Sequence, residues 1–214
     1  MPLIRKPSTA GAEAAIPQEP ALQAQAQLAL LATGNDDERW AAARAAADLP
    51  GGTEALRNAL PRETNARVRE AMFTSLARIA TPESVETVLP FLRVDDAHIR
   101  TEAWDALMAM HGAVSPYLPA LLRDEDADVR LLSCELARGL PGSDAARALA
   151  DLLDVEAEPN VCAAAIEVLA EIGGAEVLPA LARCEARFST TPFLLFSIKV
   201  AADRIRSQSS ASGA

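Results

Sequence analysis

A net charge of −10 over 214 residues leaves room for one large or two small domains, but little for a phosphate-binding surface, which needs a dense face of Lys and Arg. No run of about 18 apolar residues occurs, so no membrane span is expected. Met1 to Arg5 lacks the apolar stretch of a secretory signal, so a cytoplasmic location is expected.

Residues 1–20 carry Pro2, Pro7, Pro17 and Pro20 and read as a flexible arm. Paired helices are expected from there on, because no stretch alternates as a strand would. The first pair covers Ala21–Thr33 and Asp36–Leu49, the second Thr53–Leu60 and Asn65–Ile79, the third Pro82–Leu92 and Asp96–Met110. The fourth covers Ser115–Leu122 and Asp126–Leu140 before Pro141-Gly142, the fifth Ser143–Leu153 and Pro159–Ile172, the sixth Val177–Arg187 and Thr191–Ile205. The Ser/Gly/Ala-rich residues 207–214 read as a disordered tail.

A short pattern recurs along these pairs. Asp or Asn, two variable residues, a β-branched apolar residue and Arg occur at Asn65–Arg69, Asp96–Arg100 and Asp126–Arg130, with weaker copies around Val161 and Leu194. The spacings from Val68 to Ile99, Val129, Val161 and Leu194 are 31, 30, 32 and 33 residues, the period of a stacked-repeat protein. Counting the branched residue as zero, apolar or small residues return at +4, +7, +8 and +11, the core stripe of an amphipathic helix. Asn65, Asp96 and Asp126 stand where helix N-caps stand. Arg69, Arg100 and Arg130 are expected to form a structural ladder against these capping acids, each exposed pair worth ~0–1 kcal/mol.

This turn, D-x-x-[VI]-R, followed by x-x-A-x-x-A-L-x-x-[LI], resembles HEAT repeats, most of all the short bacterial, phycobilisome-lyase-like type. The resemblance covers roughly residues 21–206, is full at Ile99–Met110, good at Val68–Ile79 and Val161–Gly173, and fades at the ends, where Cys162 and Leu195 replace the Arg. It implies an all-α fold: a right-handed α-solenoid (superhelix) of about six HEAT-like helix pairs whose second helices line the concave face. It also implies an interaction role, because the repeat class has no common catalytic residues.

On the second helices, positions +2, +6 and +9 should face the groove. They supply Glu70, Thr74, Asp105, Met108, Leu131, Glu135, Arg138 and Glu167, a row of carboxylates beside apolar residues. Such a surface is a seat for a basic or amphipathic segment of another protein. Position +5 (Phe73, Trp104, Cys134, Ile166, Lys199) is expected to pack between successive repeats.

No catalytic or metal residue is expected. Phosphate-binding glycine loops, HExxH and GxSxG are absent. Two His and three widely spaced Cys make no zinc site or disulfide framework, so Cys134, Cys162 and Cys184 are expected as buried thiols. No cofactor is expected. Eighteen of the 20 basic residues are Arg, which with the abundant Ala points to a high-GC bacterial genome. The leading expectation is a non-enzymatic adaptor or scaffold, in a bacterial signalling setting. A phycobilin-lyase-like protein that handles tetrapyrroles is the alternative, without a clear bilin-binding Cys/His pair. A HEAT-like DNA glycosylase is a remote third, since such enzymes use a basic, aromatic-lined groove.

Overall fold

The computed structural model describes residues 19–140 and 143–212. Most of the expected arm and Pro141-Gly142 lie outside the described residues. The helices are α1 (Glu19–Thr33), α2 (Asp36–Ala45), α3 (Gly52–Ala59), α4 (Ala66–Ile79), α5 (Pro82–Val88), α6 (Ala97–Ala109) and α7 (His111–Val114). They continue as α8 (Leu118–Leu121), α9 (Ala127–Arg138), α10 (Ser143–Val155), α11 (Pro159–Ile172), α12 (Leu178–Arg187) and α13 (Pro192–Ser212). Among the described residues there is no strand, and the pairs stack into an α-solenoid.

The recurring pattern starts each second helix by one mechanism. Asn65 Oδ1 accepts from the amides of Arg67 and Val68 at 3.0 and 3.3 Å, and Asp96 Oδ1 from His98 and Ile99 at 2.8 and 3.3 Å. Asp126 accepts from Asp128 at 2.8 Å. The first repeat carries the same device in another dress. Asn35 and Glu38 form a reciprocal capping box at 2.8 and 3.0 Å, so Glu38 occupies the branched position and Arg39 the arginine position. Each cap satisfies N–H groups that the first turn leaves unpaired.

The +4, +7 and +8 residues of α4, α6, α9, α11 and α13 are all buried in one continuous core. Among them Ser75 and Ser133 are polar, and the Ser133 hydroxyl donates to Val129 O at 2.6 Å, which offsets the cost of burying it. At +5, Phe73 meets Phe91 edge to face with centroids 5.4 Å apart, and Cys134, Ile166 and Phe73 are buried. Lys199 holds the same position on α13 and is exposed.

Prolines shape the first helices. Pro61 and Pro90 fall where α3 and α5 tighten into 3-10 turns at Leu60–Arg62 and Leu89–Arg93. The fourth first helix is split into α7, a 3-10 turn at Ser115–Tyr117, and α8, because Pro116 and Pro119 lack the N–H a continuous helix requires. At the other end, α13 runs to Ser212, so residues 207–212 extend a helix where a tail was expected.

Consecutive second helices pack together more closely than consecutive first helices, which draws the stack toward the second-helix side. The joint between α6 and α9 is the exception: these two helices touch only loosely.

Candidate partner-binding site

The exposed face of the second helices carries the residues expected to meet a partner. Glu70, Thr74 and Asp105 come together in one groove between α4 and α6, about 470 Å³, whose walls include Phe73, Ala77 and Ala106. Glu70 and Asp105 are exposed and make no ion pair or hydrogen bond among the described residues. Glu102, in the same groove, is taken: Arg69 Nε donates to it at 2.7 Å, and His98 Nε2 lies 3.2 Å away.

The remaining candidates separate. Arg138 donates to Glu135 at 3.2 Å and pairs with Glu171 across to α11, so two carboxylates of the face share one guanidinium. Glu135 and Glu171 together hold the Arg138 guanidinium well above its ordinary value. Glu167 is exposed and free of partners among the described residues. Met108 is half-buried against the core, and Leu131 lines a second cleft, between α6 and α9.

The arginine ladder has different rungs from those expected, since its arginines do not bond the capping acids. Arg130 Nε and Nη2 donate to Glu156 at 2.7 and 3.0 Å. Arg39 donates in the same fork to Glu63 at 2.7 and 3.1 Å. Glu63 and Glu156 each stand two residues before the residue that opens the next second helix, Asn65 and Glu158. Arg69 finds Val94 at that place and turns to Glu102. Arg100 has no carboxylate partner among the described residues; its Nη1 donates to Val94 O at 2.8 Å. These rungs are nearly buried, unlike the exposed pairs Arg67–Asp37 and Arg78–Asp48.

Two further features mark the ends of this face. The Trp40 ring packs against two guanidiniums, Arg67 at 4.3 Å and Arg44 at 4.9 Å from its centroid, which puts a cation–aromatic cluster at the amino-terminal end of the face, beside Asp37, the partner of Arg67. Phe193, Phe196 and Val200 are exposed on α13 at 49, 69 and 49%. Their spacing puts them on one side of the helix, an apolar stripe at the far end of the face. The pattern of +2 and +6 residues held both signals once Glu38 and Leu194 are set to zero.

The three cysteines are buried, which shields them from reagents, and burial pushes the Cys134 thiol up to about 12. Among the described residues no group of His, Cys, Asp and Glu has metal-binding geometry. No helix among them is long and apolar enough to cross a membrane.

A stack of capped helix pairs with a continuous core and an open second-helix face defines an α-solenoid repeat protein. The model of HEAT repeats matches residues 53–118 and 114–187, more than half of the chain, and the chain belongs to the HEAT-repeat family. Among solved structures it is similar to an engineered protein, at 20% identity and TM-score 0.47 over 86% of this chain and 97% of the other. It is similar to a computationally designed armadillo repeat protein for modular peptide recognition, at 16% identity and TM-score 0.43, covering 84% and 98%. It is also similar to the complex of CpcE and CpcF of phycocyanin lyase from Nostoc sp., at 14% identity and TM-score 0.38, covering 94% and 100%. A comparison with curated proteins finds no match.

Proposed function

We propose that the chain is a non-enzymatic adaptor that holds a basic or amphipathic segment of another protein along the exposed face of its second helices. The observation that carries this reading is the pair of unneutralised carboxylates, Glu70 and Asp105, on opposite walls of one groove. The chain carries 30 acidic residues and spends many of them on caps and rungs, but these two serve neither. An Arg or Lys of a partner entering the groove gains both charges, while the alkyl part of its side chain rests on Phe73 and Ala106. The expected setting is a bacterial cytoplasm, and the genes that neighbour this one test the signalling context.

The test is a pull-down from source-cell lysate, comparing wild type with Glu70→Arg/Asp105→Arg. Helical content by circular dichroism shows that both are folded. A protein recovered by wild type, lost with the charge-reversed pair and released at higher salt supports the reading. Equal recovery by both forms overturns it.

A further inference from the structure

The joint between the third and fourth repeats is built differently from the others. At three joints the arginine at the repeat position reaches a carboxylate of the next repeat: Arg39 to Glu63, Arg69 to Glu102, Arg130 to Glu156. Arg100 does not, and no carboxylate of the described residues lies within 4 Å of it. Asp124 stands where Glu63 and Glu156 stand, two residues before the N-cap, but Arg93 holds it instead. α6 and α9 touch only loosely, and a cleft of about 280 Å³ opens between them. Its lining joins Arg100 and Thr101 to the apolar Ala97, Trp104, Leu131 and Leu132. The indole N–H of Trp104 is buried without an acceptor. The carboxylate in the lining, Asp128, is exposed in the first turn of α9.

We infer that this cleft receives an acidic anchor of the partner: a carboxylate side chain carried beside a bulky apolar residue. Arg100 spends one N–H on Val94 O and has no other acceptor among the described residues, and the Trp104 indole N–H has none at all; the Asp128 carboxylate is exposed at the start of α9. A guanidinium is permanently charged and an indole N–H can only donate, so the complementary group is an anion with acceptor oxygens. The walls are aliphatic and aromatic, so the body that carries the anion is apolar. The volume admits one or two side chains. The inference rests on the adaptor reading and refines its partner. Thr101 borders both this cleft and the Glu70–Asp105 groove, so one segment of mixed charge spans the two, with its basic residues in the groove and its acid in the cleft.

Two labelled peptides test it by fluorescence anisotropy: acetyl-Arg-Arg-Gly-Phe-Glu-amide and its counterpart ending in Gln. Wild type is expected to bind the Glu peptide about ten-fold more tightly, the worth of one charge-assisted contact. Arg100→Gln is expected to abolish that ratio. Glu70→Arg/Asp105→Arg should weaken both peptides alike and leave the ratio, which separates the cleft from the groove. A ratio that holds while the groove variant changes nothing supports the cleft and overturns the groove reading. Equal affinities on wild type, or a ratio that survives Arg100→Gln, overturn the inference. A second measurement does not need the whole segment. In Trp40→Phe, Trp104 is the remaining Trp of the two in the chain, and its indole resonance should move saturably with 4-phenylbutyrate and far less with 4-phenylbutanamide. No movement with either compound, or equal movement with both, overturns the cleft as an acid site.

Discussion

Arg130 and Glu156 join two repeats through a fork of hydrogen bonds at 2.7 and 3.0 Å, with only 16 and 3% of their side chains exposed. Glu156 also accepts from the amides of Ala157 and Glu158, both at 2.9 Å, so one carboxylate fixes the arginine and the entry to α11 together. Glu156→Ala removes the anion and leaves a nearly buried guanidinium unpaired. The expected loss is about 3 kcal/mol, read as a fall in the denaturant midpoint. Arg67→Ala breaks an exposed pair with Asp37 and should cost ~0–1 kcal/mol. Similar losses from both variants would show that the rungs are no more than surface pairs.

The same carboxylates set the acid limit. Burial works against ionisation of Glu156, but the Arg130 hydrogen bonds and the two amides outweigh it and hold its pKa below 4.5. Glu63 behaves likewise with Arg39 and the Asn65 amide. A folded pKa below the unfolded value stabilises the protein above the unfolded value and is lost as pH falls through the folded one. Thermal stability should therefore hold from neutrality down to about pH 4.5 and fall below it. In Glu63→Gln/Glu156→Gln the fall should be shallower. An unchanged slope would remove these two groups from the acid transition.

Two glycines make opposite predictions. A Cβ on Gly52 would lie 1.8 Å from Ala46 O, a backbone atom that cannot move aside cheaply. Gly52→Ala should cost about 2–3 kcal/mol by overpacking. A Cβ on Gly112 meets nothing within 4 Å, and Gly112 is in α7. Gly112→Ala should raise stability by up to ~1 kcal/mol, since alanine loses less backbone freedom in a helix. Paired melting curves decide both.

Native protein should react slowly with a disulfide reagent at pH 8, and all three thiols should react at once after denaturation. Cys134 is fully buried and donates weakly to Val161 O at 4.0 Å, and Cys162 likewise to Glu156 O at 3.8 Å. A thiol that reacts quickly in the folded state would mark a joint that opens.

What the sequence made legible follows from locality. Caps and the core stripe lie within one helix, so Asn65, Asp96 and Asp126 could be placed by spacing alone. The rungs link residues 24–33 positions apart, and the same arginine position picks a partner in the turn at Arg130 but on the neighbouring helix at Arg69. That choice depends on whether position −2 before the cap holds Glu or Val, a rule visible only once helices are superposed. Glu135 read as a free groove carboxylate because Arg138, one turn on in the same helix, bonds it together with Glu171 of the neighbouring helix. The split at Pro116 and Pro119 is a local signal, present in the sequence and read too smoothly.

Lys199 bears on how such a stack meets a neighbour. A stack of near-identical units has no intrinsic reason to stop, and its last unit is a template for another copy. An ammonium group at the position where Phe73, Cys134 and Ile166 are buried makes any added unit desolvate a charge. A neighbour that stacks on α13 therefore meets an electrostatic penalty at Lys199 beside the apolar attraction of Phe193, Phe196 and Val200.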